Sequence, residues 1–143
     1  ETIERIQQFC NDENIPVNFS EDAGKWGMIS INSNRNTTLP YCSFGRIKVR
    51  ILDPFDMIIG KVERFTDIDI QDVTFLIGKF SIEAEELLAV FAKALHRSVK
   101  SEKNFLFRKQ VESFIKTYSK RLWGLEENKL LHLWDSLIRS KLK

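Results

Sequence analysis

Arg46-Ile47-Lys48-Val49-Arg50-Ile51-Leu52-Asp53-Pro54-Phe55-Asp56-Met57-Ile58-Ile59-Gly60-Lys61-Val62 changes its hydrophobic period in mid-course, and the fold class follows from that change. From Arg46 to Leu52 apolar and basic residues alternate. Ile47, Val49 and Ile51 point one way and Lys48 and Arg50 the other, which is the period of a β-strand. At Asp53 the pattern switches. Asp53 is a good helix N-cap, Pro54 suits the first helical position because its missing N–H has no intrahelical partner there, and Asp56 complements the positive end of the helix dipole. Phe55, Ile58, Ile59 and Val62 then recur at i, i+3, i+4 and i+7, one buried stripe.

Downstream the helical period continues. A second helix is expected from about Asp69, with Val73, Leu76, Ile77 and Phe80 on its inner face. Ser81 can cap a third, carrying Leu87, Leu88, Phe91 and Leu95, and Ser101 a fourth, carrying Phe107, Val111, Phe114, Ile115, Tyr118 and Leu122. Gly124 fits just beyond the end of that fourth helix, and a last one buries Leu130, Leu131, Trp134 and Ile138. Upstream, Thr2 can cap a helix with Ile3, Ile6, Phe9 and Cys10 at helical spacing, stopped by Asn14-Ile15-Pro16. Val17 and Phe19 flank Asn18 in period two, Ser20 to Lys25 reads as a turn, Trp26, Met28, Ile29 and Ile31 suggest another strand, and Asn32 to Pro40 reads as loop. The expectation is an α+β fold in a single domain over residues 1–143: a helix with a small β-sheet over 1–52, then a helical half over 53–143.

Composition removes several classes of function. The chain has 143 residues, of which 43% are hydrophobic and 29% charged, enough for one sizeable core. Its longest apolar run, Leu87 to Ala92, is far below the roughly 20 residues of a membrane span, so no membrane partner is expected. No signal-peptide pattern occurs. Cys10 and Cys42 allow at most one disulfide and lack the spacing of a zinc or redox site, so a reducing cytoplasm is the simpler location. His96 and His132 lie far apart, without a nearby Cys or a second His at metal-ligand spacing. None of the six glycines belongs to a phosphate loop or a nucleophile elbow. Any chemistry therefore falls to carboxylates, Lys and Arg.

Charge is unevenly spread. Residues 1–71 hold 8 basic and 11 acidic side chains, whereas residues 72–143 hold 14 basic and 9 acidic, and the basic ones gather after Lys93. Such asymmetry marks either a nucleic-acid surface or a solvated helical face interrupted by Glu102, Glu112, Glu126, Glu127 and Asp135. The contacts of the first reading are Lys100, Lys103, Lys109, Lys116, Lys120 and Arg121. The three tryptophans and eleven phenylalanines recur at core spacing, which favours packing over base stacking.

The stretch Leu52 to Phe65, followed by Asp69-Ile70-Gln71-Asp72-Val73, resembles the C-terminal signature of a family of bacterial nucleotidyltransferase-like proteins related in pattern to abortive-infection toxins, with its Lys-x-x-Arg on one helix (Lys61, Arg64) and its Asp-x-x-Asp-Val opening the next (Asp69, Asp72). Leu133-Trp134 resembles the family's closing helix and Trp26-Gly27-Met28-Ile29 its middle strand. The resemblance implies a partial nucleotidyltransferase-like core, a nucleoside triphosphate as substrate and Mg2+ held by carboxylates, with Lys61, Arg64, Asp69 and Asp72 on the substrate side. The family's Gly-Ser turn with Asp-x-Asp is not found here. The chain opens at Glu1 without a methionine, and in the family that motif lies upstream of a segment like Glu1 to Asp12. Transfer by this chain alone is therefore not expected.

Two alternatives stay open within the signature. Arg64-Phe65-Thr66-Asp67-Ile68-Asp69-Ile70 matches, letter by letter, a strand on which Asp67 and Asp69 would form a metal-binding catalytic dyad; helical stripes on both sides favour an interhelical loop instead. Lys61, Arg64, Asp69 and Asp72 can equally be structural, with Asp69 as an N-cap, Asp72 near the helix start, and Lys61 reaching along the core edge to pair with either aspartate. Two functions follow: a nucleotidyltransferase-like protein, or a non-catalytic regulatory module that binds nucleic acid or a protein through its basic helical half.

Overall fold

The structure, a computed structural model, describes residues 2–16 and 39–140. Among these, six helices and one two-stranded antiparallel sheet follow in the order α1 (Thr2–Asp12), β1 (Leu39–Phe44), β2 (Ile47–Ile51), α2 (Pro54–Arg64), α3 (Asp67–Phe80), α4 (Ala84–Arg97), α5 (Glu102–Trp123) and α6 (Glu127–Arg139). The fold is α+β, with a small sheet followed by a helical C-terminal half. The readings that fall on Val17–Phe19, Ser20–Lys25 and Trp26–Ile31 lie outside the described residues. No helix among the described residues is long and apolar enough to cross a membrane.

The strand expected at Arg46–Leu52 is β2, but its partner falls partly where a loop was read. Leu39 and Pro40 begin β1 rather than ending the loop, and a register irregularity between Pro40 and Cys42 sets Tyr41 apart from the ladder. A strand containing Pro and broken by a bulge has no clean alternation, so its period could not announce it. The pairs Leu39–Ile51, Cys42–Val49 and Phe44–Ile47 join apolar residues across the hairpin. Gly45, at φ +58°, opens the two-residue turn, where a left-handed backbone matches the twist of the strands. Ile47 and Ile51 remain exposed, so the apolar alternation of β2 did not translate into a buried face.

The helices fold as their stripes require. Asp53 caps α2 by accepting from the N–H of Phe55 at 2.9 Å, and Pro54 takes the first turn. Ile58, Ile59 and Val62 from α2 meet Val73, Leu76 and Ile77 from α3, Leu87, Leu88 and Phe91 from α4, Phe107, Val111, Phe114 and Ile115 from α5, and Leu130 and Trp134 from α6 in one core. The Phe91 and Phe107 rings meet edge to face at 5.6 Å. Two side-chain bonds fix longer connections: Gln110 Nε2 donates to the carbonyl of Glu63, and Trp123 Nε1 donates to that of Ile82, each at 2.9 Å.

Two boundaries and one expected core position differ from expectation. Helix α3 begins at Asp67, two residues early, because Thr66 rather than Asp69 is its N-cap. Ser81 does not start α4. It closes α3 in the left-handed conformation, φ +51°, and Glu83 precedes α4 without a capping side chain. Phe80, expected on the inner stripe of α3, is exposed, with the Lys79 ammonium 5.8 Å from its ring centre.

Candidate functional site

The turn between α2 and α3 is two residues long, Phe65 and Thr66, and it brings the last turn of one helix against the first turn of the other. Phe65 sits at φ +56°, an uncommon conformation for a bulky residue, and its N–H reaches the Lys61 carbonyl at 2.9 Å. The cations Lys61 and Arg64 stand at the negative end of the α2 dipole. Asp67 and Asp69 stand at the positive end of the α3 dipole, so each charge suits its helix end before it meets the other.

All four signature residues come together here. Arg64 forks onto Asp69, with Nη2 to Oδ1 at 2.5 Å and Nε to Oδ2 at 3.2 Å. The Thr66 hydroxyl donates to Asp69 Oδ2 at 2.7 Å while accepting the Asp69 N–H at 3.2 Å, a reciprocal cap. Lys61 Nζ lies 2.5 Å from Asp72 Oδ2 and 3.6 Å from Asp69 Oδ1. The Asp69 side chain is only 5% exposed, and a buried carboxylate of this kind is tolerated because cations and a hydroxyl surround it. The Arg64 hydrogen bond, aided by Thr66 and by the Arg64 and Lys61 charges, outweighs burial and holds the Asp69 carboxyl down at about 2. The same bond pushes the Arg64 guanidinium up.

The chemistry open to this cluster is narrow. Both Asp69 oxygens are occupied and Asp72 holds Lys61, so a divalent ion would have to displace two cations to reach the carboxylates. Among the described residues, no group of three or more His, Cys, Asp or Glu side chains is placed to hold a metal ion. As paired, the four residues of this cluster do not fit magnesium. Nor do Asp67 and Asp69 share a strand face: both lie in the first turn of α3, where neighbours two apart point about 200° from one another.

The basic half presents a different arrangement. Lys109, Lys116 and Lys120 fall at intervals of seven and four along α5 and therefore share its outer side. Lys109 pairs with Glu112 at 3.1 Å and Lys120 with Glu126 at 3.7 Å, both near the surface. On another side of α5, Tyr118 and Arg121 join Asp67, Ile70, Gln71 and Thr74 of α3 in lining a groove of about 320 Å3. Of its polar residues, Asp67, as half of the dyad alternative, and Arg121 stood out in the sequence. Tyr118 was absorbed into the core stripe, although a hydroxyl in a row of Phe, Val and Ile, with Arg three residues on, was the available signal. No family model matches the chain, and no curated protein or solved structure matches it.

Proposed function

We propose that this chain is a non-catalytic nucleic-acid-binding module whose contact surface is the outer face of α5 and the segment leading into it. The observation that carries this is the charge of residues 93–121: nine basic side chains against two acidic ones, in a chain whose net charge is only +2. The pairs of Lys109 and Lys120 with glutamates do not weaken the reading, since surface pairs contribute about 0–1 kcal/mol and yield readily to a phosphate. Lys61 and Arg64, by contrast, are committed to Asp69 and Asp72, which leaves a nucleoside triphosphate no unpaired cation in that cluster. The nucleotidyltransferase resemblance then describes a shared helical hairpin, with neither Mg2+ nor transfer chemistry assigned to it. A reducing, cytoplasmic setting is part of the same proposal.

The test is fluorescence anisotropy of a labelled single-stranded 20-mer at several salt concentrations. Binding should fall steeply between about 50 and 200 mM salt, because each phosphate contact releases counterions. Replacing Lys109, Lys116 and Lys120 together by Gln should weaken binding and lower the log–log salt slope by about 2. Binding that ignores salt, or no binding at low salt, overturns the proposal.

A further inference from the structure

The groove between α3 and α5 gathers polar groups of both charge signs. Asp67, Gln71, Tyr118 and Arg121 line it, with Ile70 as an apolar floor. Thr74 is already spent, its hydroxyl donating to the Gln71 carbonyl at 2.8 Å. Among the described residues, the Asp67 carboxylate, the Gln71 amide, the Tyr118 hydroxyl and the Arg121 guanidinium have no hydrogen-bond or ion-pair partner. Asp67 and Arg121 lie beyond ion-pair distance of each other, so an acceptor fork and a donor fork face one groove uncancelled. The Arg121 guanidinium is held over the Tyr118 ring at 5.1 Å, and that ring is stacked on Phe114, itself in the core. This positions an otherwise mobile arginine, leaving its N–H edge to donate.

A ligand that satisfies both forks must offer two adjacent donors to the carboxylate and two adjacent acceptors to the guanidinium. Among the nucleobases, guanine alone does so: its N1–H and exocyclic amine form the donor pair, and O6 and N7 the acceptor pair. Adenine, cytosine and uracil each lack the paired donors. Arg121 lies about 100° round α5 from Lys120, so a strand bound on the lysines would have to pass round the helix to reach the groove. Resting on the nucleic-acid reading above, we propose that the α3–α5 groove is a guanine-binding site, in which Asp67 accepts from N1–H and the exocyclic amine while Arg121 donates to O6 and N7 of one base of a bound strand. Gln71 and the Tyr118 hydroxyl supply the remaining polar contacts at its edge. Such a site gives α5 a sequence preference that charge alone does not provide.

The test compares labelled U8 with the same strand carrying one central G, and adds GMP, AMP and alanine as competitors. The single G should tighten binding about tenfold, the scale of one good bidentate base contact. In Asp67→Asn that advantage should vanish while U8 binding holds. Arg121→Lys, which keeps the charge but loses the fork, should likewise reduce the G preference, with circular dichroism confirming that both variants fold. GMP should compete better than AMP, and alanine not at all. Equal binding of the two strands overturns the guanine site and leaves the lysine surface standing. Asp67-dependent GMP binding with no strand binding overturns the strand reading and retains the site for a free nucleotide. Displacement by alanine in preference to GMP overturns the base assignment.

Discussion

At the residue scale, Asp69 organises the junction of α2 and α3. Its folded pKa of about 2 against an ordinary 3.8 means that folding favours its charged form. The corresponding stabilisation, about 2 kcal/mol, is fully present above about pH 4 and is lost as pH falls through about 2, with about half gone by pH 3. Asp69→Asn should therefore cost about 2 kcal/mol at pH 7 and progressively less toward pH 3, read as the difference between urea midpoints of the two proteins across that range. A constant difference at every pH would refute the assignment of the carboxylate charge to folding. The sequence made this cluster legible as a set of residues, because Lys61, Arg64, Asp69 and Asp72 lie at helical spacing about a short break. It did not reveal their division of labour. Thr66 and Asp69 are both N-cap residues by type, and only the two-residue turn, with Phe65 in a left-handed conformation, decides that Thr66 caps and Asp69 is left to hold Arg64.

At the scale of elements, α2 and α3 show what a hydrophobic stripe can and cannot say. Ile59 is 2% exposed and Ile68, nine residues on, is 71% exposed. Ile59→Ala should cost about 2–5 kcal/mol through lost transfer energy and the cavity left behind. Ile68→Ala should change stability by less than about 0.5 kcal/mol, because its side chain faces water in the native state. Equal shifts in the denaturation midpoint would refute this packing. Helix positions were legible because five successive stripes agree with one shared core. Their ends were less so. Ser81 is a typical N-cap residue, yet here it occupies a left-handed C-terminal position that glycine usually fills, and a residue type suited to two ends of a helix cannot say which one it serves. β1 was hidden for a related reason, since Pro40 and the irregularity beside Tyr41 erase the alternation by which a strand is recognised.

At the scale of the whole molecule, charge and carboxylate placement point to one account of activity. A two-metal nucleotidyl transfer requires carboxylates that share ions about 4 Å apart, with lone pairs open to them. The Asp69–Asp72 cluster holds Arg64, Thr66 and Lys61 on its oxygens, and among the described residues no three or more His, Cys, Asp or Glu side chains are grouped to hold a metal ion. We therefore expect the 143 residues to transfer no nucleotide when incubated with magnesium, labelled nucleoside triphosphates and total cellular RNA and protein. The informative control is Asp67→Asn/Asp69→Asn. Label transfer by the native chain that disappears in this double variant would falsify the expectation, since it would require Asp69 to release Arg64 and take up metal in the presence of substrate. The same variant separates activity from binding. Asp69→Asn acts through stability and Asp67→Asn through the α3–α5 groove, so at neutral pH the double variant should lose both about 2 kcal/mol of stability and the preference for guanine, while its salt-dependent hold on U8 through Lys109, Lys116 and Lys120 remains.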